Sequence, residues 1–436
     1  MRIVQAAGWY LPNSTGGTEV YVSELSKRLR AAGHDVLIAA PEALGQAERT
    51  YDEDGFQVYR YPIPARVTRD EAQGRVTVRG AERFHEWLRR AQPDVVHMHT
   101  FVTGLGLAEL KVAKSLGAKV IATTHSASLG FTCQRGTMMR WGTDLCDGIA
   151  QPMKCAACQL QHRGVARPIA MGAALIPPSI GAAGRRIPGR LGTLVGMTNL
   201  ITYNKSAQRE MLGIVDRFVV LTDWARDVLI ANGAPRHKIA LNRLGVRFPV
   251  TSATGRRSVA PVTVAYIGRF DPIKGIADFA RAISMVPRSA PIRFEFHGPV
   301  LYRQDLAVLD RLKQIVGPDA WVTFGGELDA AGVRSVLERV DVVCCPSRVV
   351  EGGPTIALEA HSARVPVIGT DIPALSEIVR DRENGRLFRP GDVRALAAIL
   401  KELAAQPDIV NQWRANLPMV RTMDDVTRDY LEMYAA

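Results

Sequence analysis

Glu351-Gly-Gly-Pro-Thr-Ile-Ala-Leu-Glu359 follows the apolar run Val340-Asp-Val-Val-Cys-Cys345. The apolar run is typical of a buried parallel strand. Pro354 suits the first turn of a helix, where a missing N–H costs nothing, so Glu351 is predicted on the connecting loop and Glu359 on the helix. A helix start with free N–H groups binds anions, and carboxylates beside it accept hydrogen bonds from hydroxyls. The stretch therefore predicts a site for a nucleotide sugar.

Length and composition set the class of protein. At 436 residues, the chain is long enough for at least two domains with their own cores. Hydrophobic residues at 47% and charged residues at 22% are ordinary for a soluble protein. No apolar run reaches the roughly 18 residues that a membrane span requires. The nearest, residues 168–183, is broken by Pro177-Pro178 and predicts a buried or interfacial helix. We therefore expect a cytoplasmic protein.

The net charge of +12 calls for a partner or a solvated surface. Nucleic acid is not expected, because no binding motif or basic stripe with interleaved aromatic residues is present. Two interpretations remain open. One is an Arg-rich surface exposed to water, and the other is association with an anionic membrane surface, on the inner face of the cell membrane.

Strand-like and helix-like segments alternate along the whole chain, which is typical of parallel sheets covered by helices. The pattern predicts two doubly wound, Rossmann-like α/β domains, with a Pro-, Gly- and Ser-rich linker over 249–261 and an amphipathic last helix over 420–434. The first helix is predicted over 18–32. The predicted strands are 2–7, 34–40, 94–99, 119–124, 216–222, 262–267, 292–297, 321–324, 340–345 and 365–370.

A second loop carries residues suited to ligand binding. It is Ile267-Gly-Arg-Phe-Asp-Pro-Ile-Lys-Gly275, which follows a predicted strand and precedes a predicted helix. Gly268 allows the backbone to approach a ligand, and Arg269 and Lys274 present two cations to one place. A diphosphate leaving group needs such cations, because negative charge builds on it as its bond breaks. The alternative is two ordinary surface cations. Ligands of such folds bind beyond the carboxyl ends of the strands, where both loops lie.

Five motifs together resemble the retaining nucleotide-sugar glycosyltransferases of family four. They are Gly16-Gly17-Thr-Glu19, Asp94-Val-Val-His-Met-His99, Thr124-His125, Gly268-Arg-Phe-x3-Lys-Gly275 and Glu351-x7-Glu359. The resemblance implies the GT-B architecture, in which two Rossmann-like domains face a central cleft. It implies an acceptor-side domain over 1–248 with an insertion at about 126–205, a donor-binding domain over 249–419, and a C-terminal helix over 420–436 that packs on the first domain.

The resemblance also implies the site residues. Arg269 and Lys274 match the pair that holds the donor diphosphate, and Glu351 matches the glutamate that contacts the transferred sugar. Glu359 matches the glutamate that binds the ribose hydroxyls. His125 matches the histidine beside the reacting sugar, although Ser126 stands where the family often has an acidic residue. Other positions implied to line the substrate are Gly16, Gly17, Gly298, Gly353, Pro354 and Thr355.

The expected reaction is retaining transfer from a nucleotide-diphosphate sugar to a glycan or lipid-linked acceptor in cell-surface polysaccharide synthesis. Catalysis is assigned to His125, Arg269, Lys274 and Glu351, with no catalytic metal. One of His97 and His99 is interpreted as a hydrogen-bonded structural histidine, and neither is assigned to catalysis. His297, which ends a strand near the place where the family binds its nucleotide, is interpreted as structural. The alternatives are a glycosyltransferase with a soluble small-molecule acceptor and a non-catalytic, zinc-containing scaffold.

Four cysteines lie within 26 positions, at Cys133, Cys146, Cys155 and Cys158, and the last two form a C-x2-C knuckle. In a cytoplasmic chain, this spacing favours a metal site over disulfides. Four thiolates predict a closed structural zinc site, with an iron–sulfur cluster as the alternative and His162 as a spare ligand. Reduced, buried thiols are the remaining interpretation.

Overall fold

A computed structural model describes residues 1–14, 16–43, 45, 47–247, 258–300, 303–317 and 321–436. Most of the predicted linker over 249–261 lies outside these residues. The chain divides into two compact units. The first comprises Met1–Trp141, Cys146–Arg243 and Met423–Ala436, and the second comprises Gly142–Leu145 and Leu244–Thr422.

Strands and helices alternate as predicted. The strands are β1 Arg2–Ala6, β2 Asp35–Ala43, β3 Arg49–Glu53, β4 Phe56–Ile63, β5 Val95–Met98, β6 Lys119–Thr123, β7 Met139–Arg140, β8 Asp144–Leu145, β9 Arg217–Val220, β10 Ile239–Leu241, β11 Val262–Ile267, β12 Ile292–His297, β13 Val322–Phe324, β14 Val342–Cys345, β15 Val367–Thr370 and β16 Gly385–Phe388. The helices are α1 Gly17–Ala31, α2 Arg69–Ala72, α3 Glu82–Ala91, α4 Leu107–Ser115, α5 Pro152–His162, α6 Arg167–Ala173, α7 Pro178–Gly181, α8 Gly189–Ile214, α9 Asp223–Ala231, α10 Ile276–Ser284, α11 Arg303–Val316, α12 Ala330–Arg339, α13 Thr355–Ser362, α14 Val393–Ala405, α15 Asp408–Ala415 and α16 Met423–Ala435.

The first unit is built on an eight-stranded sheet in the order β10-β9-β6-β5-β1-β2-β4-β3. All neighbouring strands are parallel except β3 and β4, which form an antiparallel hairpin. β1 lies in the middle, and its Ile3 and Val4 are fully buried. The sheet explains why the central strands were predictable, since strands covered on both faces are continuously apolar. The hairpin and the edge strand β10 were not predicted.

The second unit is built on a six-stranded parallel sheet in the order β13-β12-β11-β14-β15-β16. β11 and β14 are neighbours, with Val264 opposite Val342 and Ala265 opposite Val343. The loops that follow these two strands therefore leave the sheet side by side at one edge. These are the two loops that carry the predicted donor residues.

The C-terminal helix α16 belongs to the first unit, where it packs on α1. Its Tyr430 and Tyr434 are buried, and the Tyr430 hydroxyl lies 3.1 Å from the Tyr21 hydroxyl of α1. The sequence predicts an apolar stripe of Val426, Tyr430 and Met433 on this helix. Val426 and Tyr430 are fully buried, and Met433 is half-buried.

Residues 168–183 form two short helices, α6 and α7, rather than one. Pro177 lies between them, and the residue before a proline disfavours helical geometry. Ile169 and Leu175 are largely exposed, so a helix buried in the core is the wrong description. Among the residues that the structure describes, no helix combines the length and apolarity needed to cross a membrane.

Candidate functional site

The loops after β11 and β14 touch through their backbones. The Arg348 N–H donates a 2.8 Å hydrogen bond to the Ile273 carbonyl. Gly275 has φ +70°, and a Cβ there would lie 1.8 Å from the Pro346 carbonyl oxygen. A side chain at position 275 would therefore push the loops apart. The loop after β11 is shaped further by Asp271, whose carboxylate accepts a 3.0 Å hydrogen bond from the Ile273 N–H.

This contact brings the predicted cation and carboxylate together. Lys274 Nζ lies 2.8 Å from Glu351 Oε2, and both side chains are partly exposed, at 26% and 18%. The Ser347 hydroxyl donates a short hydrogen bond to the other Glu351 oxygen. Ser347 is itself held by Thr370, whose hydroxyl donates to the Ser347 carbonyl at 2.8 Å. Glu351 is thus fixed from two sides, and Ser347 is a site residue that the sequence analysis missed.

Arg269 lies on the loop after β11 and Arg348 on the loop after β14, and their side chains make different contacts. Arg348 makes a bidentate pair with the buried carboxylate of Asp278, at 2.5 and 2.6 Å, and these hydrogen bonds raise the pKa of Arg348. This pair ties the loop after β14 to α10. The Arg269 side chain is 57% exposed, and Asp271 approaches it only at 3.9 Å. Arg269 therefore keeps its donors available for an anion.

Glu359 lies on α13, half-buried, and burial raises its pKa although the nearby charge of Arg247 opposes the change. Within the described parts of the chain, its carboxylate has no hydrogen-bond partner and no ion-pair partner. Thr355 is the first residue of α13, and no side chain caps this helix start. Pro354 is in the cap position, one residue before the first turn where it was predicted. The N-terminus of α13 therefore presents free N–H groups, as expected for an anion site.

Two glycines owe their identity to close contacts in the second unit. A Cβ on Gly298 would lie 2.0 Å from the Gly268 carbonyl oxygen, so the loop after β12 presses against the loop after β11. A Cβ on Gly353 would lie 2.2 Å from the Leu244 side chain. Backbone packing thus requires a glycine at position 298, whereas the contact at position 353 is with a flexible side chain that could shift.

His297 is a structural histidine, as interpreted from the sequence. Its Nε2 lies 2.8 Å from Glu295, which also pairs with Arg339. Burial alone would raise the pKa of Glu295, but the hydrogen bonds from His297 and Arg339 outweigh burial and hold that pKa at about 2.

His125 lies in the first unit, directly after β6, in a buried cluster of rings. Its Nε2 is 3.2 Å from His99 Nδ1, and its ring meets the ring of Tyr21 edge to face at 4.8 Å. Burial lowers the pKa of His125 to about 3, so the ring is neutral at physiological pH. His99 Nε2 lies 2.6 Å from Gln5 Oε1. Tyr21, on α1, was not recognised in the sequence.

His97 belongs to the same cluster and confirms the structural interpretation. Its Nδ1 lies 2.6 Å from the Tyr434 hydroxyl, and its Nε2 lies 2.7 Å from the Thr123 hydroxyl. Thr123 in turn is 2.8 Å from the Tyr430 hydroxyl. The C-terminal helix α16 is therefore hydrogen-bonded to β5 and to β6, the strand that precedes His125.

Gly16 and Gly17 precede and begin α1 in the same unit. A Cβ on Gly16 would lie 2.5 Å from Glu19, whose carboxylate accepts a 2.6 Å hydrogen bond from Ser14. A Cβ on Gly17 would meet nothing within 4 Å. Local packing therefore explains a glycine at position 16 but not at position 17.

The predicted metal site is not supported. Cys133, Cys146, Cys155 and Cys158 line one small cavity, but their thiols are free. Burial raises the pKa of the Cys146 thiol and raises that of Cys155 to about 11. In the described ranges, no group of three or more His, Cys, Asp or Glu side chains is placed to hold a metal ion. His162, the proposed spare ligand, is exposed.

Sequence comparison agrees with these loops and sheets. The model of Glycosyltransferase Family 4 matches residues 15–171, and the model of Glycosyl transferases group 1 matches residues 261–406. Together they span more than half of the chain, one in each unit. The two matching models identify the chain as a glycosyltransferase. The chain belongs to glycosyltransferase family 4, and a non-catalytic scaffold is not supported.

Relatives and solved structures extend this result. The chain is 24% identical to glycogen synthase of Mycobacterium tuberculosis, over 93% of this chain and 87% of that protein. It is 24% identical to phosphatidyl-myo-inositol mannosyltransferase of the same species, over 88% and 82%. Sucrose-phosphate synthase from Thermosynechococcus elongatus has a TM-score of 0.65 at 16% identity, covering 100% of this chain and 98% of that one. Anabaena Alr3699/HepE, solved in complex with UDP-glucose, has a TM-score of 0.63 at 12% identity, with coverage of 100% and 99%. The fold is GT-B, as predicted.

Proposed function

We propose that this glycosyltransferase moves a sugar, with retention, from a nucleotide-diphosphate donor to a glycan or lipid-linked acceptor in cell-surface polysaccharide synthesis. The observation that carries the proposal is the 2.8 Å contact between Lys274 and Glu351, made by loops of neighbouring strands. Arg269 lies on the first of these loops, and Glu359 on the helix behind the second. Two cations and two carboxylates thus stand at one edge of one sheet, as a charged diphosphate joined to hydroxyl-rich sugars requires.

The chemistry follows from the charges. As the sugar–oxygen bond breaks, negative charge builds on the departing diphosphate, and the exposed Arg269 and adjacent Lys274 stabilise it. Glu351 accepts hydrogen bonds from hydroxyls of the transferred sugar, beside Gly353 and Thr355. Glu359, which has a carboxylate without a partner in the described chain, accepts from the ribose hydroxyls. Gly298 and the N-terminus of α13 complete the donor side.

Retention is proposed because Glu351, the carboxylate assigned to the transferred sugar, is not placed as a free nucleophile. Glu351 is hydrogen-bonded through both oxygens, to Lys274 and to Ser347. A carboxylate held in this way is suited to positioning rather than to covalent attack. The incoming hydroxyl would then react on the face that the diphosphate leaves, and the departing phosphate would take its proton. The protein contributes orientation and charge.

The first unit contributes Gly16, Gly17 and His125. His125 is neutral and fixed by His99 and Tyr21, so it is suited to a hydrogen bond with the transferred sugar. Gly17 needs no glycine for local packing, which supports close approach of a ligand to that backbone. Relatives support the substrate classes, since one solved structure holds UDP-glucose and one relative is named for a phosphatidyl-myo-inositol acceptor.

The test is a donor panel with the purified protein. Thermal shifts and release of the nucleoside diphosphate are measured with UDP-, GDP- and ADP-sugars, because a tight ligand raises the melting temperature. We expect one donor to stabilise the protein and to be turned over. NMR of the product should show the anomeric configuration of the donor. An inverted product would overturn retention, and a panel with neither shift nor turnover would overturn the donor site.

Lys274→Ala tests the carrying observation, with Lys401→Ala as the control. Lys401 is an exposed lysine on α14 of the same unit. We expect Lys274→Ala to lower turnover by about 100-fold or more, the range seen when one electrostatic contact to a transition state is removed. Lys401→Ala should leave turnover unchanged. Equal activity of the two variants would exclude Lys274 from the site.

The proposed reaction needs no metal, because Arg269 and Lys274 supply positive charge at the diphosphate. Turnover should therefore persist in excess EDTA, and a loss that Mg²⁺ or Mn²⁺ restores would contradict this. A soluble acceptor is the alternative class. Transfer to short soluble sugars at the rate seen with a lipid-linked acceptor would favour it.

A further inference from the structure

Residues 167–191 of the first unit have an inverted pattern of burial. The small side chains of Ala170 and Ala174 are buried against the body of the unit, whereas the large apolar side chains point to solvent. Burial of large apolar side chains contributes most of the favourable free energy of folding. In the isolated chain, the exposed side chains of this segment do not make that contribution. The exposed side chains, here called the apolar face, are Ile169 at 59%, Met171 at 53%, Leu175 at 66%, Ile180 at 61% and Leu191 at 60%.

The apolar face is held in place by the long helix α8. The Thr198 hydroxyl donates to the Ile176 carbonyl at 2.8 Å, and the Asn199 amide donates to the Pro178 carbonyl at 3.0 Å. A Cβ on Gly184 would lie 2.5 Å from the Gly196 nitrogen, so the backbones are in close contact. The exposure therefore belongs to packed structure. Exposed apolar clusters of this kind mark interaction surfaces.

The segment that carries the apolar face has charges of one sign. Residues 148–209 contain no Asp or Glu and eight Lys or Arg. Arg186 and Arg190 are exposed between Ile180 and Leu191, and no carboxylate of the described chain pairs with them. A surface that combines apolar side chains with cations fits the interface of an anionic bilayer, where each cation near the surface is favourable.

A second observation points to the same ligand chemistry. A cavity of the first unit is lined by four arginines, Arg69, Arg75, Arg163 and Arg185. Burial, together with the charge of Arg185, lowers the pKa of Arg75. Of these four arginines, only Arg185 forms an ion pair with Asp70, at 2.7 Å. The lining of the cavity therefore has an excess of positive charge. Gly192, next to Leu191 in the chain, also lines this cavity.

We propose that the apolar face docks on an anionic lipid bilayer and that the arginine cavity receives a phosphate group of the lipid headgroups. A second copy of the chain is disfavoured as the occupant, because a twofold contact would bring two copies of this positively charged segment together, and residues 148–209 contain no Asp or Glu to pair with Arg186 and Arg190. The proposal goes beyond the proposed function, since vesicle binding is measured without any transfer reaction.

The test is co-sedimentation of the full chain with vesicles of phosphatidylcholine alone or with about 30% phosphatidylglycerol. Binding is expected only to the anionic vesicles, with release in 0.5 M salt because exposed charges are screened. Leu175→Gln with Ile180→Gln should weaken binding about tenfold or more, since two large apolar side chains no longer leave water. The matched control is Val259→Gln with Met419→Gln, two exposed apolar residues of the second unit.

Charge is tested separately. Arg186→Gln with Arg190→Gln should weaken binding about tenfold, while Arg394→Gln with Lys401→Gln, exposed cations of α14, should not. Arg163→Gln, at an exposed position of the cavity, should lower binding by severalfold and reduce the preference for phosphatidylglycerol.

Three outcomes would overturn the proposal: no binding to anionic vesicles, equal binding to neutral vesicles, or an equal loss in the control variants. A concentration-dependent dimer that Leu175→Gln with Ile180→Gln abolishes would assign the face to a second copy instead. Thermal shift with the nucleotide sugar reports on the donor site independently, so failure of docking and failure of the proposed function are distinguishable.

Discussion

The donor loops of the second unit and the ring cluster around His125 in the first unit solve different physical problems. The donor loops keep their charges partly exposed and paired, as in Lys274 with Glu351. The ring cluster is buried and neutral, and burial lowers the pKa of His97, His99 and His125. Charge suits the diphosphate, whereas neutral rings suit the shape and hydroxyls of a sugar. The contrast supports the proposal that His125 orients the substrate and that the donor loops supply the electrostatics.

Among the changes that test this comparison of the two regions, the largest effect is expected for Glu351→Gln. The amide keeps the shape but loses the charge that pairs with Lys274 and attracts hydroxyls, so turnover of the donor should fall about 100-fold. The measurement is steady-state release of the nucleoside diphosphate. Glu432→Gln, at an exposed position of α16, is the control. A loss below threefold would show that the donor loops do not depend on this charge.

His125→Gln should have a smaller effect, about tenfold on turnover, because the amide retains one hydrogen bond of a neutral ring. Because the pKa of His125 is about 3, its ring should not titrate near pH 6.5. The pH–rate profiles of the wild type and the variant should therefore have the same shape around that pH. Rates are compared between pH 5.5 and 8. A limb in this range that disappears in His125→Gln would mean that the ring titrates and acts as an acid or base.

Acid should destabilise the first unit before the second. His97 and His99 are buried, His125 is half-buried, and all three have lowered pKa values, so below about pH 6.5 the unfolded chain binds protons that the folded first unit excludes. This contribution to stability is complete above pH 6.5 and falls as the pH drops further. In the second unit, burial lowers the pKa of His361, so a smaller loss is expected there. Hydrogen exchange, corrected for intrinsic rates, should show β5 and β6 losing more protection between pH 6.5 and 5 than β11 and β14. Uniform loss would contradict the contrast.

The smallest effect is expected for Glu359→Gln. Burial raises the pKa of Glu359, so its ionised form costs stability above the folded pKa, and this cost vanishes below the unfolded value. The variant should therefore melt about 2 °C higher at pH 7.5 and no higher at pH 4. Donor affinity should fall in the same variant. An unchanged melting temperature together with an unchanged donor affinity would show that Glu359 neither binds the donor nor destabilises the fold through its burial.

The donor loops were predictable because their signals are local. A buried strand, a glycine turn and a helix start can be recognised in consecutive residues, and parallel neighbours place such loops at one edge. Ser347 and Tyr21 were missed because only their side-chain contacts, with Glu351 and His125, identify them as site residues. Neither residue has a distinctive spacing.

The insertion was less predictable for the opposite reason. The spacing of Cys133, Cys146, Cys155 and Cys158 favoured a metal, but spacing does not determine side-chain geometry, and in the described part of the chain no three such side chains are placed to hold a metal ion. Residues 168–183 read as buried or interfacial because their composition is apolar. Only packing on α8 showed that the alanines are inside and that Leu175 and Ile180 are outside.

The sequence by itself determined the alternation of strands and helices, the two Rossmann-like sheets and the motifs at their strand ends. These depend on hydrophobic period and on turn residues, which are properties of neighbouring positions. The tertiary structure decided which charges meet, which rings are neutral and which apolar side chains remain in water. Those depend on contacts between distant parts of the chain, such as Lys274 with Glu351, and on the burial that such contacts create.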